Sequence, residues 1–313
     1  MMSQCGVKAA RASPAGAPPA NMMRLAGGNF TMGSDRHYPE EGPAHPRYVE
    51  GFWIDPHPVT NKEFSAFVAA TGYVTVAEMP PSLEDYPDLD PAMRAPASLV
   101  FKTKPGTRRP VDWRQWWTLQ PGANWRQPHG SGSEALPDHP VVHVSYLDAQ
   151  AYSTWRGKEL PTEAEWEFAA RGGLDGADYA WGDQLSPDGR MMANYWQGHF
   201  PYENLLLDGY ATTSPVGVFP PNGFGLYDMI GNVWEWTTDP FVESHRWQTC
   251  CGRPSQSENR GQGVATRDVM HVLKGGSYLC AGNYCERYRP AARSAQSLDT
   301  SSCHIGFRCV VRG

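Results

Sequence analysis

Glycine and proline make up about a fifth of this chain, which leaves little room for long helices or long strands. The 313 residues include 32 glycines and 28 prolines, together with 12 tryptophans and 14 tyrosines. A globular protein with this mixture has many turns, short elements and a core filled by aromatic rings. No internal repeat accompanies the composition. The sequence therefore predicts a single irregular α+β domain with low secondary-structure content.

The ordered domain is expected at residues 23–313, behind an Ala- and Pro-rich tail at 1–22 that we expect to be disordered. Residues 74–137 are rich in Pro, Gly and Trp without a clear period, which indicates a long insertion or a surface region. Apolar and alternating runs bounded by turn residues predict three strands, at 23–33, 272–279 and 306–311.

Three segments have the spacing and the end signals of helices. Phe64, Phe67 and Val68 share one face of a predicted helix at 61–71, and Gly72 is placed to end it. The capping-box pattern occurs at 145–148 and at 162–165, and it predicts helices that run to about residue 156 and about residue 171.

Charge and cysteine content exclude several classes of protein. The net charge is -6 and no long basic block is present, so a nucleic-acid partner is not expected. No apolar run of about 18 residues is present, so a membrane span is not expected either. The N-terminus lacks the continuous apolar region of a signal peptide. Seven cysteines, an odd number, argue against a disulfide framework and predict a reducing, cytoplasmic compartment.

Cys280 and Cys285 form the first candidate site. They are separated by four residues and follow the turn-forming sequence Gly-Gly-Ser-Tyr at 275–278, so that both thiols can converge on one soft ion. Structural zinc needs four ligands, and no CxxC pair supplies the other two. Two ligands suit Cu(I) and leave room for a substrate sulfur. The alternative is a disulfide or two inert core thiols, which the spacing alone favours.

Two further segments could bind calcium through oxygen atoms. In the first, Asp228 and Glu235 flank a turn at Gly231, although a capped turn with solvated acids is the more common meaning of this pattern. In the second, Asn194-Tyr195 and the segment 208–210 could form a similar cage, and the signal is weak.

Histidine and cysteine pairs elsewhere have a structural interpretation. His139 and His143 are four residues apart, but Pro140 and two valines favour an extended chain, in which the rings lie roughly 13 Å apart. That distance is too long for one shared ion, so we interpret both histidines as structural. Cys250 and Cys251 are interpreted as loop thiols.

Short sequence blocks between residues 22 and 312 then identify a family. They are Met32-Gly33, HPVVHVS at 139–145, LPTEAEWE at 160–167, ARGG at 170–173, NYWQG at 194–198, PNGFGLY at 221–227, GNVWEW at 231–236, KGGS at 274–277 and GFR at 306–308. These blocks resemble the formylglycine-generating enzyme (sulfatase-modifying factor) family. Most of them mark the whole superfamily, including members with other functions, whereas the Cys280 and Cys285 pair indicates the active oxidase branch.

The resemblance implies a fold and an activity. The fold resembles a modified C-type lectin fold with little regular structure. Family members oxidise the cysteine of a Cys-x-Pro-x-Arg motif in unfolded sulfatases to formylglycine, and they use Cu(I), O2 and a thiol reductant. The resemblance also implies a monomer whose partner is an unfolded protein or peptide.

Residue roles follow from the same resemblance. Cys280 and Cys285 would be the copper ligands, with the substrate thiolate as a third sulfur. Ser277 and Tyr284 match polar residues beside the copper, where hydrogen bonds can orient oxygen or a proton. The positions that match the substrate pocket are Trp234, Arg287 and His304. Two structural calcium sites are implied, one at Asn194, Tyr195, Asp208 and Tyr210, the other at Asp228, Gly231, Val233 and Glu235.

The chain departs from the family pattern at several positions. Ala281 stands where some members have a large polar residue, and His304 replaces an asparagine near the substrate pocket, so peptide recognition is expected to differ. Secreted relatives have two core disulfides. Three of those four positions are Ser153, Ala170 and Pro290, which leaves Cys309 unpaired and agrees with a cytoplasmic protein.

Two other functions compete with the oxidase. The first is a non-catalytic, lectin-like binding paralogue, against which the retained cysteine pair counts. The second is a sulfoxide synthase of the ergothioneine type, which resemblance associates with an additional N-terminal domain and a His-x-x-x-His-x-Glu iron motif. Here the His139 and His143 spacing is followed by Ser145 instead of glutamate.

Overall fold

The computed structural model of the chain describes residues 21–84, 86–102, 113–245 and 269–313. The tail predicted at 1–22 lies almost wholly outside these ranges, as do Cys250 and Cys251, so their interpretation stays a prediction. Within the same ranges no helix is long and apolar enough to cross a membrane.

The described part of the chain forms three α-helices and eleven short strands, with five short 3-10 segments between them. The helices are α1 (Asn61–Thr71), α2 (Tyr146–Trp155) and α3 (Glu163–Arg171). The strands are β1 (Met23–Leu25), β2 (Gly28–Met32), β3 (His45–Val49), β4 (Phe52–Ile54), β5 (Ala97–Phe101), β6 (Trp117–Pro121), β7 (Trp234–Pro240), β8 (Met270–Lys274), β9 (Arg293–Ser297), β10 (Ile305–Gly306) and β11 (Val310–Arg312). They pair into small sheets with the orders β1-β4-β11, β10-β7-β8-β9, β2-β3 and β5-β6.

All three predicted helices form, and their ends have the cap chemistry that the sequence indicates. The side chains of Thr60, Ser145 and Thr162 each accept a hydrogen bond from the backbone N–H three residues later. In return, the acidic side chain at that later position accepts a hydrogen bond from the backbone N–H of the capping residue. Gly72 and Gly172 end α1 and α3 in the left-handed conformation. The helical part of the prediction is therefore confirmed.

The predicted strands form, but they are shorter than expected. The strand expected at 23–33 is divided into β1 and β2 because Gly27 turns the chain with a φ of 76°, and a Cβ there would lie 2.3 Å from the carbonyl oxygen of Val49. The strand expected at 306–311 is also divided. Its first residue belongs to β10, which pairs with β7, and its last residues belong to β11, which pairs with β4. The chain crosses between two sheets there, with Phe307 fully buried.

The hydrophobic interior has two parts. The larger part packs the helices against the β10-β7-β8-β9 sheet and includes the fully buried Trp166 and Trp236. The smaller part is formed by Trp196, Phe200, Tyr278, Leu279 and Ala281, with Phe101, Trp116 and Trp117 packed against it. The last three rings come from the region predicted as an insertion at 74–137. That region therefore contributes a wall to the structure beside Cys280.

Buried ion pairs join α3 to β8. The carboxylate of Glu167 lies between Lys274 Nζ, at 2.9 Å, and Arg171 Nη2, at 2.7 Å, and Glu167 and Lys274 are fully buried. Burial alone would raise the pKa of Glu167, but Lys274 and Arg171 outweigh burial and hold that pKa below its ordinary value. Lys274 is thereby fixed at the end of β8, where the candidate site begins.

Candidate functional site

The chain turns sharply after β8, so the strand predicted at 272–279 ends at Lys274 instead. Gly275 and Gly276 have φ angles of 92° and 72°, and a Cβ on Gly276 would lie 2.5 Å from the carbonyl oxygen of Arg287. Only glycine permits this approach without a shift of the backbone. The turn therefore packs the segment that leads into the cysteine pair against the segment that follows it.

The sulfur atoms of Cys280 and Cys285 lie 3.6 Å apart, and both thiols are free. A single helical turn joins them, in which the N–H of Cys285 donates to the carbonyl oxygen of Ala281 at 2.8 Å. The separation is too long for a disulfide bond of about 2.05 Å. It does allow both sulfurs to lie about 2.3 Å from one ion, a typical metal–sulfur distance. The pair therefore fits a soft ion such as Cu(I).

The two thiols differ in burial and in acidity. Cys280 is buried, whereas Cys285 is partly exposed. Burial raises the pKa of the Cys280 thiol. The hydrogen bond from Cys280, together with the positive charge of Arg287, whose Nη1 lies 3.8 Å from Cys285 Sγ, lowers the pKa of Cys285 to about 7. In the metal-free pair, negative charge therefore resides on the more accessible sulfur.

Arg287 is held in place by residues from the N-terminal part of the domain. Its Nη2 donates to Glu40 Oε1 at 2.6 Å, and its guanidinium lies over the Tyr38 ring at 4.0 Å from the centroid. Glu40 therefore binds Nη2, and Nη1 remains available to contact the sulfur of Cys285. Arg287, predicted as a substrate-binding residue, therefore contacts the cysteine pair itself.

An aromatic surface, defined here as Trp116, Phe200 and Tyr284, adjoins the cysteine pair. The ring of Tyr284 stacks on Phe200 with centroids 4.8 Å apart and meets Trp116 edge-on at 5.2 Å. Tyr284 is 52% exposed although it belongs to this cluster. Its position immediately before Cys285 places a phenol at the accessible side of the site.

The other predicted site residues lie at different depths. Ser277 is buried, and its N–H donates to Cys280 Sγ at 3.4 Å while its hydroxyl accepts from the N–H of Leu279. The N–H of Trp234 donates to the carbonyl oxygen of His304 at 2.9 Å. Burial lowers the pKa of His304 to about 3, so its ring is neutral at pH 7. Trp234 belongs to the same hydrophobic cluster as Cys280, but within the described part of the chain neither Trp234 nor His304 forms a hydrogen bond with the sulfur of Cys280 or Cys285.

The first predicted calcium set contains an unsatisfied buried oxygen. Asn194 Oδ1 is buried without a hydrogen-bond partner, which is unusual and suits a cation. The side-chain amide of Gln197 donates to the carbonyl oxygen of Tyr195 and, at 2.7 Å, to Asp208 Oδ2. The N–H of Tyr210 donates to Asp208 Oδ1 at 2.9 Å. The structure thus joins Tyr195, Asp208 and Tyr210 through hydrogen bonds, whereas the side-chain amide of Asn194 donates to the carbonyl oxygen of Thr212 at 2.8 Å.

The second predicted calcium set fits an ion less well. Both carboxylate oxygens of Glu235 accept from Arg308, at 2.7 and 2.8 Å, and one also accepts from the Trp166 indole at 2.8 Å. Burial raises the pKa of Asp228 to about 6, and its carboxylate accepts from the N–H of Gly217. Glu235 is therefore committed to an ion pair within the protein. The roles of Asp228, Gly231, Val233 and Glu235 as ligands stay predictions.

Side-chain carboxylates, imidazoles and thiols do not assemble any larger metal centre in the described ranges, where no group of three or more has suitable geometry. Both ring nitrogens of His143 have hydrogen-bond partners, Nδ1 with the hydroxyl of Ser98 and Nε2 with the carbonyl oxygen of Pro128, each at 2.8 Å. His139 Nδ1 bonds to the hydroxyl of Thr213 at 2.9 Å. These partners agree with the structural interpretation of both histidines.

Sequence reasoning missed the residues that surround the cysteines from distant parts of the chain. Glu40 and Tyr38 precede Arg287 by more than 240 residues, and Trp116 belongs to the region without a clear period. Phe200 lies just after the NYWQG block, which was interpreted only as a family signal and a calcium segment. The two arginines that follow Cys285 were the one local signal, because an arginine that is buried needs an acidic partner, and here Arg287 pairs with Glu40 and Arg289 with Glu41.

Comparison with known proteins places the chain by sequence. The family model named Sulfatase-modifying factor enzyme 1-like domain matches residues 8–313. A formylglycine-generating enzyme of Mycobacterium tuberculosis is 54% identical, over 92% of this chain and 97% of that protein. A Bos taurus protein named inactive C-alpha-formylglycine-generating enzyme 2 is 41% identical, over 92% of this chain and 87% of that protein. Similar sequences thus include proteins named as formylglycine-generating enzymes and proteins named as inactive ones.

The fold is also similar to a solved structure. PvdO from Pseudomonas aeruginosa matches with a TM-score of 0.63 and 26% identity, over 93% of this chain and 94% of that chain. The match agrees with the single α+β domain of low regularity and with the modified lectin-like fold that the sequence predicted, which are confirmed.

Proposed function

Since the chain belongs to the sulfatase-modifying factor enzyme family, we propose that it is an oxidase that converts a sulfatase cysteine to formylglycine. The observation that carries the proposal is the free thiol pair of Cys280 and Cys285, with sulfurs 3.6 Å apart. Family similarity alone does not decide between an active and an inactive protein, because relatives of both names are similar to this chain. The substrate is a cysteine within Cys-x-Pro-x-Arg, in an unfolded chain or a peptide.

The donor set supports Cu(I) as the cofactor. Two thiols are soft ligands, and no third side chain of ligating type joins them among the residues that the structure describes. Copper held by Cys280 and Cys285 would supply the reaction with O2 beside the substrate sulfur. The substrate sulfur approaches from the side of Cys285, because Cys280 is buried and Cys285 is partly exposed.

The surrounding residues of the chain position these sulfurs and the substrate. The N–H of Ser277 fixes the sulfur of Cys280, and Arg287 favours the thiolate of Cys285. Tyr284 presents its hydroxyl at the accessible side, where it orients a proton or an oxygen atom. The aromatic surface excludes water from one side of the substrate, because its rings pack together.

The reaction has a defined stoichiometry that tests the proposal. One cysteine side chain, one O2 and two reductant thiols give one aldehyde, one hydrogen sulfide, one water and one disulfide. With a Cys-x-Pro-x-Arg peptide, copper-loaded protein is expected to consume O2 and release hydrogen sulfide in a one-to-one ratio, both in step with aldehyde. Oxygen uptake with the sulfur retained on the product would instead indicate a sulfoxide synthase. Peptide binding without oxygen uptake would indicate a binding module.

We also propose that the first calcium set, at Asn194, Tyr195, Asp208 and Tyr210, binds Ca2+. The unsatisfied Asn194 oxygen and the partly buried Asp208 carboxylate, whose pKa burial raises, support a cation at this place. Asp208→Asn is expected to weaken calcium binding at least about tenfold, because it removes the one charged ligand. Isothermal titration calorimetry measures the affinity. The matched control is Asp188→Asn at an exposed position, and equal affinities in the two variants would contradict the assignment.

A further inference from the structure

Leu205, Leu206 and Leu207 form an exposed apolar run that the proposed chemistry does not use. Their exposed fractions are 52%, 43% and 65%. Three consecutive exposed apolar residues are unfavourable in a soluble protein unless they have a function. The run is called the leucine edge below.

Hydrogen bonds fix the backbone of the leucine edge. The N–H of Leu205 donates to the carbonyl oxygen of Gln197 at 2.6 Å, and the N–H of Leu206 donates to Asn204 Oδ1 at 3.3 Å. Leu206 has a φ of 52°, a conformation that bulky side chains rarely adopt and that is common at functional sites. The carbonyl oxygen of Leu206 accepts from the N–H of Gly209 at 3.0 Å. The loop therefore presents these side chains in a defined geometry.

The leucine edge is joined directly to the cysteine segment. The N–H of Trp196 donates to the carbonyl oxygen of Cys280 at 3.0 Å, and the next residue, Gln197, accepts from Leu205. Two backbone hydrogen bonds in series thus link the leucine edge to the cysteine segment, and at the spacing of hydrogen-bonded backbones they span on the order of 10 Å. An extended peptide covers that distance in about three residues.

The same loop also supports the aromatic surface. The N–H of Phe200 donates to Asn283 Oδ1 at 3.3 Å, and the ring of Phe200 stacks on Tyr284. One loop therefore forms the border of the site at Phe200 and the leucine edge a few residues later. A substrate polypeptide whose own cysteine lies beside Cys285 can therefore extend across Phe200 and the leucine edge.

We propose that the leucine edge binds apolar side chains of the unfolded substrate, about three to five residues from the cysteine that is oxidised. The inference rests on the proposed function and adds a determinant of substrate choice. An unfolded chain exposes apolar side chains that a folded protein buries, so an apolar surface beside the site selects unfolded substrate. The continuity of the loop with the cysteine segment favours this occupant over a second copy of the chain.

The test compares peptides that differ only outside the motif. The first peptide contains the Cys-x-Pro-x-Arg core with polar flanks. The second carries Leu and Phe three to five residues before the cysteine, and the third carries them three to five residues after it. The protein variants are the double substitution Leu205→Ser/Leu207→Ser and the control Leu136→Ser, since Leu136 is exposed to a similar extent, at 56%. Leu206 is left unchanged because of its φ.

The copper-loaded wild type is expected to convert one of the apolar-flanked peptides with a kcat/KM about tenfold above that of the polar-flanked peptide, mainly through KM. The double variant is expected to lose this advantage and to retain the rate with the polar-flanked peptide, whereas Leu136→Ser retains both. An equal loss with every peptide, or no loss with any, would overturn the proposal. So would a dimer, seen in sedimentation, that dissociates in the double variant.

A binding measurement separates this proposal from the proposed function. Fluorescently labelled peptides with serine in place of the cysteine cannot be oxidised, so their affinity for copper-loaded protein does not depend on turnover. Tighter binding of the apolar-flanked peptide, lost in the double variant, supports the leucine edge even if no aldehyde forms. Equal affinity of both peptides for the wild type overturns it even if aldehyde does form.

Discussion

Cys280→Ser is expected to lower formylglycine formation by at least about 1,000-fold while the fold is retained. A serine hydroxyl is a hard, neutral ligand and does not replace a thiolate on Cu(I). Because Cys280 contributes the buried sulfur of the pair, the remaining Cys285 would hold the ion from the exposed side alone. The measurements are peptide turnover, Cu(I) stoichiometry and the thermal unfolding midpoint of the same preparation.

Two further variants control for this loss. Cys285→Ser is expected to reduce turnover to the same extent, because each serine variant leaves the copper ion with a single thiolate ligand from the protein. Cys309→Ala removes a different buried free thiol and is expected to keep turnover within about twofold of the wild type, since a small core change alters stability rather than chemistry. Substantial turnover in either serine variant, with a native unfolding midpoint, would refute the two-thiol copper site.

Glu167→Ala is expected to lower the free energy of unfolding by about 3–5 kcal/mol, the largest effect on stability that the ion pairs predict. The substitution leaves Lys274 and Arg171 charged and buried without their shortest ion pairs. Lys274 Nζ retains the carbonyl oxygen of Ala291 at 3.2 Å and Glu163 Oε1 at 3.6 Å, and Arg171 retains the carbonyl oxygen of Gly33 at 3.0 Å. The N–H of Gly33 also loses its acceptor, which lies at 2.7 Å. Urea unfolding monitored by tryptophan fluorescence measures the change.

The controls separate buried charge from loss of an ion pair in general. Glu159→Ala removes one of the two acidic partners of Arg312, at a side chain that is 61% exposed, and a small change of no more than about 1 kcal/mol is expected. In the double variant Glu167→Ala/Lys274→Met the under-compensated amine is absent, while Glu163 keeps Arg293 at 2.8 Å, so part of the lost stability should return. If Glu167→Ala and Glu159→Ala had equal effects, the buried pair would not stabilise β8 as described.

The sequence predicted best those features that depend on residues close together in the chain. The helices at 61–71, 145–156 and 162–171 were predictable because their caps depend on side chains three residues apart. The cysteine pair was predictable for the same reason, since one helical turn joins Cys280 to Cys285. Strand ends were harder, because only the three-dimensional approach of Gly276 to Arg287 shows where β8 must end.

The surroundings of the cysteines depend on contacts between distant segments, for which the chain carries no local signal. Glu40 contacts Arg287 across 247 positions, and the aromatic surface combines Trp116, Phe200 and Tyr284 from three separate regions. The commitment of Glu235 to Arg308 was also hidden, because an acidic residue near a turn has the same local pattern whether it binds an ion or an arginine. Cytoplasmic location, a monomeric state and the copper and calcium ions stay predictions.

The most direct measurement is the mass of a Cys-x-Pro-x-Arg peptide after incubation with the wild-type protein, one equivalent of Cu(I), O2 and a thiol reductant. The predicted result is loss of the cysteine sulfur and appearance of an aldehyde that a hydrazine reagent traps, over many turnovers for each bound copper. A peptide that keeps its cysteine, although one Cu(I) is bound by Cys280 and Cys285, would contradict the oxidase that this site is proposed to form.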